Sequence, residues 1–212
     1  MRSPLAESRR EALLEAMLPE VPFDGWSRAV LRGAARRCGI TVGEALALFP
    51  GGPPDLVAGF SRWADRRMLD RLETLPLEPL SVPERIAWAI GVRLEIVEPY
   101  REAVRRALTV LALPQHTPLA ARLVYETVDG IWYVAGDSAT AFSFYTKRLT
   151  LAAIYGAAVL YWLDDRSEGF ADTRAFFDRR LGDAVRVGRA RRDLEALLGR
   201  LPNPLRLLHP LR

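Results

Sequence analysis

Apolar residues recur at helical rather than alternating spacing along almost the whole chain, and no convincing strand pattern occurs. The clearest stripe joins Tyr100, Ala103, Val104, Ala107, Leu108 and Leu111, with Arg101, Glu102, Arg105 and Arg106 on the opposite face. The pattern predicts helices over about 4–18, 27–38, 42–48, 53–74, 82–97, 99–113, 117–135, 138–164, 172–200 and 204–211. Breakers separate them, among them Gly51-Gly52-Pro53-Pro54, Pro76 to Pro83, Pro114, Gly136-Asp137 and Ser167-Glu168-Gly169. The expected class is all-α. Residues 1–50 make three short helices with a helix-turn-helix spacing around Cys38-Gly39-Ile40, residues 51–200 a larger helical bundle, and residues 201–212 a basic amphipathic tail.

Composition adds that a core can form: of 212 residues 50% are hydrophobic and 26% charged, unlike a disordered chain. The single cysteine, Cys38, excludes an intramolecular disulfide and any multi-cysteine zinc site, and points to a reducing compartment. The histidines are His116 and His209, and no Glu-x-x-His pair exists, so di-iron and helical zinc sites lack their ligands. No nucleophile motif, phosphate loop or acid/base pair is visible; no metal or cofactor is expected, and the chain reads as a non-enzyme. Met1 to Pro19 mixes Arg2, Arg9 and Arg10 with Glu7, Glu11 and Glu15, unlike a secretory signal or an acid-poor transit peptide. The expectation is a soluble, cytoplasmic, bacterial-type protein. The uncharged run Leu149–Leu163 has 15 residues, short of the roughly 20 that cross a bilayer, and predicts a buried helix.

Charge is unevenly placed. Residues 1–173 carry 20 basic and 22 acidic side chains, whereas residues 174–212 carry 10 and 4. Arg186, Arg189, Arg191, Arg192, Arg200, Arg206 and Arg212 accompany a series of leucines that continues past Pro202 and Pro204, which suits an anionic membrane surface; a helix docked on its own bundle is the alternative. The segment Thr41–Phe49, where a helix-turn-helix would carry its DNA-reading helix, has no basic or amide side chain and one charge, Glu44. A structural three-helix unit without DNA binding is therefore expected.

Apolar side chains crowd more than one face of the central helices. Trp88, Val92 and Ile96 share one helix, Tyr125, Val128 and Trp132 a second, and Tyr155, Gly156 and Trp162 a third. Such helices are either packed on all sides or line a lipid-sized cavity, for which these nine residues are the candidates. Lys147 and Arg148 precede the uncharged run and Asp164 and Asp165 end it, the reverse of what the helix dipole favours. A start near Ser138, capped by Asp137, removes the first conflict. The terminal aspartates then need a base, a partner protein or a solvated turn.

Several segments together resemble a known family. Val21-Pro22-Phe23-Asp24-Gly25-Trp26-Ser27, Phe49-Pro50-Gly51-Gly52 with Asp55-Leu56, and the stretch Ile131-Trp132, Gly136-Asp137, Phe144-Tyr145-Thr146-Lys147-Arg148, Leu151-Ala152, Tyr155, Asp165, Ser167, Asp172-Thr173 and Phe176 are similar to the auxiliary lipid-binding proteins of ubiquinone biosynthesis, the ninth coenzyme Q gene product family. The resemblance spans about residues 5–198 and is most specific over 131–180. It implies a fold like the TetR regulators with a degenerate DNA module, a homodimer, and a cavity for a prenylated quinone precursor or phospholipid. It also implies presentation of that precursor to the pathway's di-iron hydroxylase at the inner face of the cell membrane. Phe144, Tyr145, Arg148, Leu149 and Asp165 would then form the partner surface, with Phe144 and Leu149 at its centre. Ala141, Ser143 and Phe144 stand where the family usually has an aspartate, an asparagine and a tryptophan. A TetR-type repressor sensing a hydrophobic ligand is the alternative function.

Overall fold

Capping residues and breakers set the helix boundaries in the computed structural model, which describes residues 4–136 and 141–199; side chains of 141–145, 189 and 191–199 are outside that description. The helices are α1 (Pro4–Met17), α2 (Val21–Asp24), α3 (Arg28–Arg37), α4 (Val42–Leu48), α5 (Pro53–Glu73), α6 (Val82–Val97), α7 (Arg101–Leu111), α8 (Thr117–Ala135), α9 (Ala141–Asp164) and α10 (Ala171–Gly199), and no strand occurs among the described residues. Ser27 accepts from Val30 N and Thr41 from Glu44 N, each at 3.2 Å, capping α3 and α4. Gly39 between them has φ 65° and Gly136 ends α8 at φ 71°, left-handed turns that suit a residue without Cβ. The all-α expectation holds. The four-residue α2 went unforeseen because a single turn has too little periodicity to register. The expected Ser138 helix start and the 201–212 tail lie outside the described residues.

The first four helices pack on α5 and α7. Gly59 on α5 permits the approach, since a Cβ there would stand 2.9 Å from the ring of Phe49 and 3.3 Å from Leu14. An aromatic row, Trp26, Phe60, Trp63 and Tyr100, runs across the junction at centroid spacings of 5.1, 5.7 and 5.8 Å. The Trp26 indole donates to Ala103 O at 3.0 Å, which ties the start of α3 to α7. On α4, Glu44 is ion-paired with Arg9.

Behind this unit, α5, α6 and α8 pack together, α9 lies on α8, and α10 joins α9 to α6. One buried cluster continues from Leu13 through Trp162 to Leu181. The charge pattern at the end of α9 finds its explanation here. Arg105 donates to Leu163 O at 3.0 Å and to Asp164 Oδ1 at 3.1 Å, and Arg101 donates to Asp165 O. Two α7 cations thus oppose the negative end of α9; the base within the fold serves Asp164, whereas the Asp165 carboxylate is held by Ser167 and Thr173.

Candidate functional site

Five helices line a partly open apolar cavity of about 390 Å³, a size ordinary for small-molecule sites. Phe60 on α5, Leu94 and Val97 on α6, Leu108 on α7 and Leu123 on α8 supply much of its wall, and Tyr155, Gly156, Val159 and Trp162 of α9 complete it. Four residues of the α7 stripe legible in the sequence, Val104, Ala107, Leu108 and Leu111, face this space. A more open cleft of about 650 Å³ lies beside Trp63, Arg67 and Tyr100. Several of its polar groups pair with one another or with neighbours: Trp63 N–H and Arg67 both reach Glu15, and Arg71 meets Glu95 at 2.9 Å. The α5–α9 cavity is the better candidate because its lining is mostly apolar and its few polar groups converge.

Those groups are Ser61, Arg93, Thr127 and Tyr155. Arg93 donates through Nε to Asp65 Oδ1 at 2.7 Å and through Nη2 to Ser61 Oγ at 3.3 Å. Thr127 donates to the same carboxylate oxygen at 2.9 Å. The Arg93 guanidinium lies 5.5 Å from the Tyr155 ring centroid. Burial opposes the charge on Arg93, but Tyr155 and Asp65 outweigh it and hold its pKa above its ordinary value. Burial likewise pushes the Tyr155 phenol above 10, so it stays a neutral hydroxyl. Trp162 is fully buried, and its indole N–H has no hydrogen-bond partner among the described residues.

Of the nine lipid-facing candidates, Tyr155, Gly156 and Trp162 line the cavity. Val92 and Val128 are buried in the packed core, Trp132 is buried with Lys147 over its ring at 5.6 Å, and Ile96 faces the outer cleft. Trp88 and Tyr125 are 48% and 46% exposed and stand away from the cavity. The division follows from helix geometry. α6 turns Leu94 and Val97 inward while Trp88 falls on the opposite side, a choice that composition cannot reveal when most of a helix is apolar. Sequence reasoning missed Asp65, Ser61, Arg93 and Thr127. The available signal was Arg93 itself, a cation set directly between Val92 and Leu94 on α6.

The partner candidates separate as well. Leu149 is 72% exposed, and Arg148 meets Asp129 at 2.8 Å. The side chains of Phe144 and Tyr145 lie outside the described residues. Asp165 is not on this surface. It sits at the opposite end of α9, buried, accepting from Ser167 N at 2.8 Å and Thr173 N at 2.9 Å and from both their hydroxyls. Its carboxylate is consumed in organising the turn into α10, so a rim role is corrected.

The COQ9 family model matches residues 117–188, the segment from α8 into α10 that supplies α8 and α9 to the cavity. The mitochondrial ubiquinone biosynthesis protein COQ9 of Rattus norvegicus is 32% identical over 197 residues, 90% of this chain and 63% of that protein. The Homo sapiens protein of that name is 31% identical over 90% of this chain and 62% of its own length, and the Drosophila melanogaster one 33% over 84% and 56%. The chain thus spans somewhat less than two thirds of these relatives. A TetR transcriptional regulator from Nitrosomonas europaea ATCC 19718 superposes with a TM-score of 0.69 at 24% identity, covering 84% of this chain and 98% of that one, which establishes the TetR-like fold. No helix among the described residues is long and apolar enough to cross a membrane.

Proposed function

From a chain that carries the COQ9 family segment at residues 117–188 and is similar to mitochondrial COQ9 proteins over nine tenths of its length, we propose a non-catalytic, lipid-binding role in ubiquinone biosynthesis. The observation that carries the reading is the apolar cavity of about 390 Å³ between α5 and α9. Its occupant is a prenylated quinone precursor or a phospholipid, which the protein, as a homodimer at the membrane surface, presents to the pathway's di-iron hydroxylase. The exposed Leu149 and the neighbouring Phe144 and Tyr145 form the partner surface in this reading, and the basic 201–212 tail supplies the membrane contact.

Extraction of the purified protein followed by mass spectrometry tests the lipid. Wild-type protein from a quinone-making host is expected to carry one lipid per cavity. Gly156 lines the cavity with no atom within 4 Å of the place a Cβ would take. Gly156→Phe is therefore expected to fold as well as wild type while losing most of the bound lipid. Lipid-free wild-type extracts, or equal loading of the variant, would sink the cavity reading.

The repressor alternative has the TetR-like fold in its favour. Against it stand the absence of basic or amide side chains from Thr41–Phe49 and the pairing of Glu44 with Arg9. No duplex binding is expected at physiological salt, where a specific reader reaches about 10⁻⁸ M or tighter. A reproducible, salt-sensitive footprint on any promoter would reverse the choice.

A further inference from the structure

Residues 4–50 are electrically neutral in sum, with six arginines and six acids, yet strongly polarised in space. Glu7, Glu11 and Glu15 recur every fourth residue on α1 and turn to α5. There Glu7 and Glu11 meet Arg66 at 3.0 and 2.7 Å, and Glu15 pairs with Arg67. Glu20 pairs with Arg37 and Glu44 with Arg9, while Arg10 is buried and meets Asp55 at 3.6 Å. Three cations are left over. Arg28, Arg32 and Arg36 are all exposed and stand four residues apart along α3, whose opposite face buries Val30, Leu31, Ala34 and Ala35. Arg28 reaches Pro50 O at 3.3 Å, whereas Arg32 and Arg36 have no hydrogen bond or ion pair among the described residues. On α2, which leads into α3, Phe23 is 80% exposed, and Arg106 of α7 holds the turn by donating to Pro22 O at 2.9 Å.

We infer that the exposed face of α3, together with Phe23, docks on an anionic phospholipid bilayer. The inference rests on the membrane-surface reading proposed above and adds to it a contact separate from the cavity and from the 201–212 tail. Arg28 and Arg36 are about 12 Å apart along the helix axis, so the stripe is long enough to meet more than one head group. Arg32 and Arg36, held by no neighbour, are poorly preorganised for one fixed anion and suit a fluid array of phosphates. Phe23 supplies an apolar ring for the acyl boundary. Exposed Asp24, beside it, is the one acid among residues 4–50 without a described ion pair and works against the contact, but three cations outnumber it. A nucleic-acid duplex is the weaker match. It gains nothing from Phe23, and α4, which would have to enter its groove, brings Glu44 and no basic side chain.

Co-sedimentation of the full-length protein with vesicles tests the surface, using equal parts of phosphatidylglycerol and phosphatidylcholine against phosphatidylcholine alone. Wild-type protein is expected to prefer the anionic vesicles and to lose affinity as salt rises. Arg32→Gln combined with Arg36→Gln is expected to weaken binding to them about 25-fold, about fivefold for each cation. Phe23→Ser is expected to weaken it about tenfold through lost apolar burial, with the salt dependence of wild type. All three side chains are exposed, so both variants should keep the wild-type melting temperature. Unchanged vesicle binding of either variant would overturn the proposed surface while leaving the tail as the membrane contact. Tighter binding of wild type to duplex DNA than to the anionic vesicles, lost in the arginine variant, would assign α3 to nucleic acid instead. Failure of wild type to bind either kind of vesicle would remove the membrane reading and this inference together.

Discussion

Asp65→Ala is expected to lower the unfolding free energy by about 3–5 kcal/mol, the range seen when one partner of a buried ion pair is removed. The magnitude follows from what the substitution leaves behind. Arg93 is almost wholly buried, its Nε sits 2.7 Å from Asp65, and the same carboxylate accepts from the Thr127 hydroxyl at 2.9 Å. Without the carboxylate, a guanidinium and a hydroxyl on α6 and α8 lose their shared acceptor in a largely apolar surrounding. Replacing both members, as Asp65→Leu with Arg93→Met, is expected to restore much of the loss, because the cost lies in the uncompensated charge rather than in the missing attraction. Urea unfolding followed by circular dichroism measures both. A loss of less than 1 kcal/mol for Asp65→Ala would mean that the cation is solvated and the polar end of the cavity is open.

The second large effect concerns the turn between α9 and α10. Asp165→Ala is expected to cost about 2 kcal/mol, the upper end for loss of a helix cap whose acceptor is charged. Asp165 accepts from Thr173 N, inside the first turn of α10, and from Ser167 N in the preceding turn. Between these anchors Gly169 and Phe170 have φ values of 56° and 46°, and the left-handed region is unfavourable for a side chain as large as Phe170. The carboxylate, with burial of Phe170 beneath Arg174 at 5.0 Å, keeps that conformation. Burial acts against ionisation of Asp165, but the four hydrogen bonds from Ser167 and Thr173 prevail and lower its pKa from 3.8 to about 2.

A pH dependence follows from that depressed pKa. The unfolded chain takes up the proton first as pH falls, so the Asp165 contribution is complete above about pH 4 and is lost as pH approaches 2. The stability gap between wild type and Asp165→Ala should therefore be constant from pH 7 to pH 5 and close between pH 4 and pH 2. A gap that stays constant down to pH 2 would show that the hydrogen bonds do not depend on the carboxylate charge.

Much of the architecture was already written in local pattern. Ser27, Thr41, Pro53, Pro83 and Gly136 mark helix ends through backbone conformations and hydrogen bonds that involve neighbours a few residues away, so they can be read without knowing the fold. The Tyr100 to Leu111 stripe was equally legible, because one apolar face on an otherwise charged helix has only one way to be buried. The site was not. On α6, α8 and α9 most of the circumference is apolar, so periodicity cannot say which side meets a cavity, which meets a packed neighbour and which meets solvent. Only the placement of α5 and α7 against them separated Tyr155 and Trp162 from Val128, and both from Tyr125. Asp65 and Arg93 are 28 residues apart, and Asp165 lies eight residues before Thr173. From the chain alone these are single charges of unknown partner. Burial, a property of the assembled helices, made one pair the polar end of a cavity and turned Asp165 from a surface acid into the cap of α10.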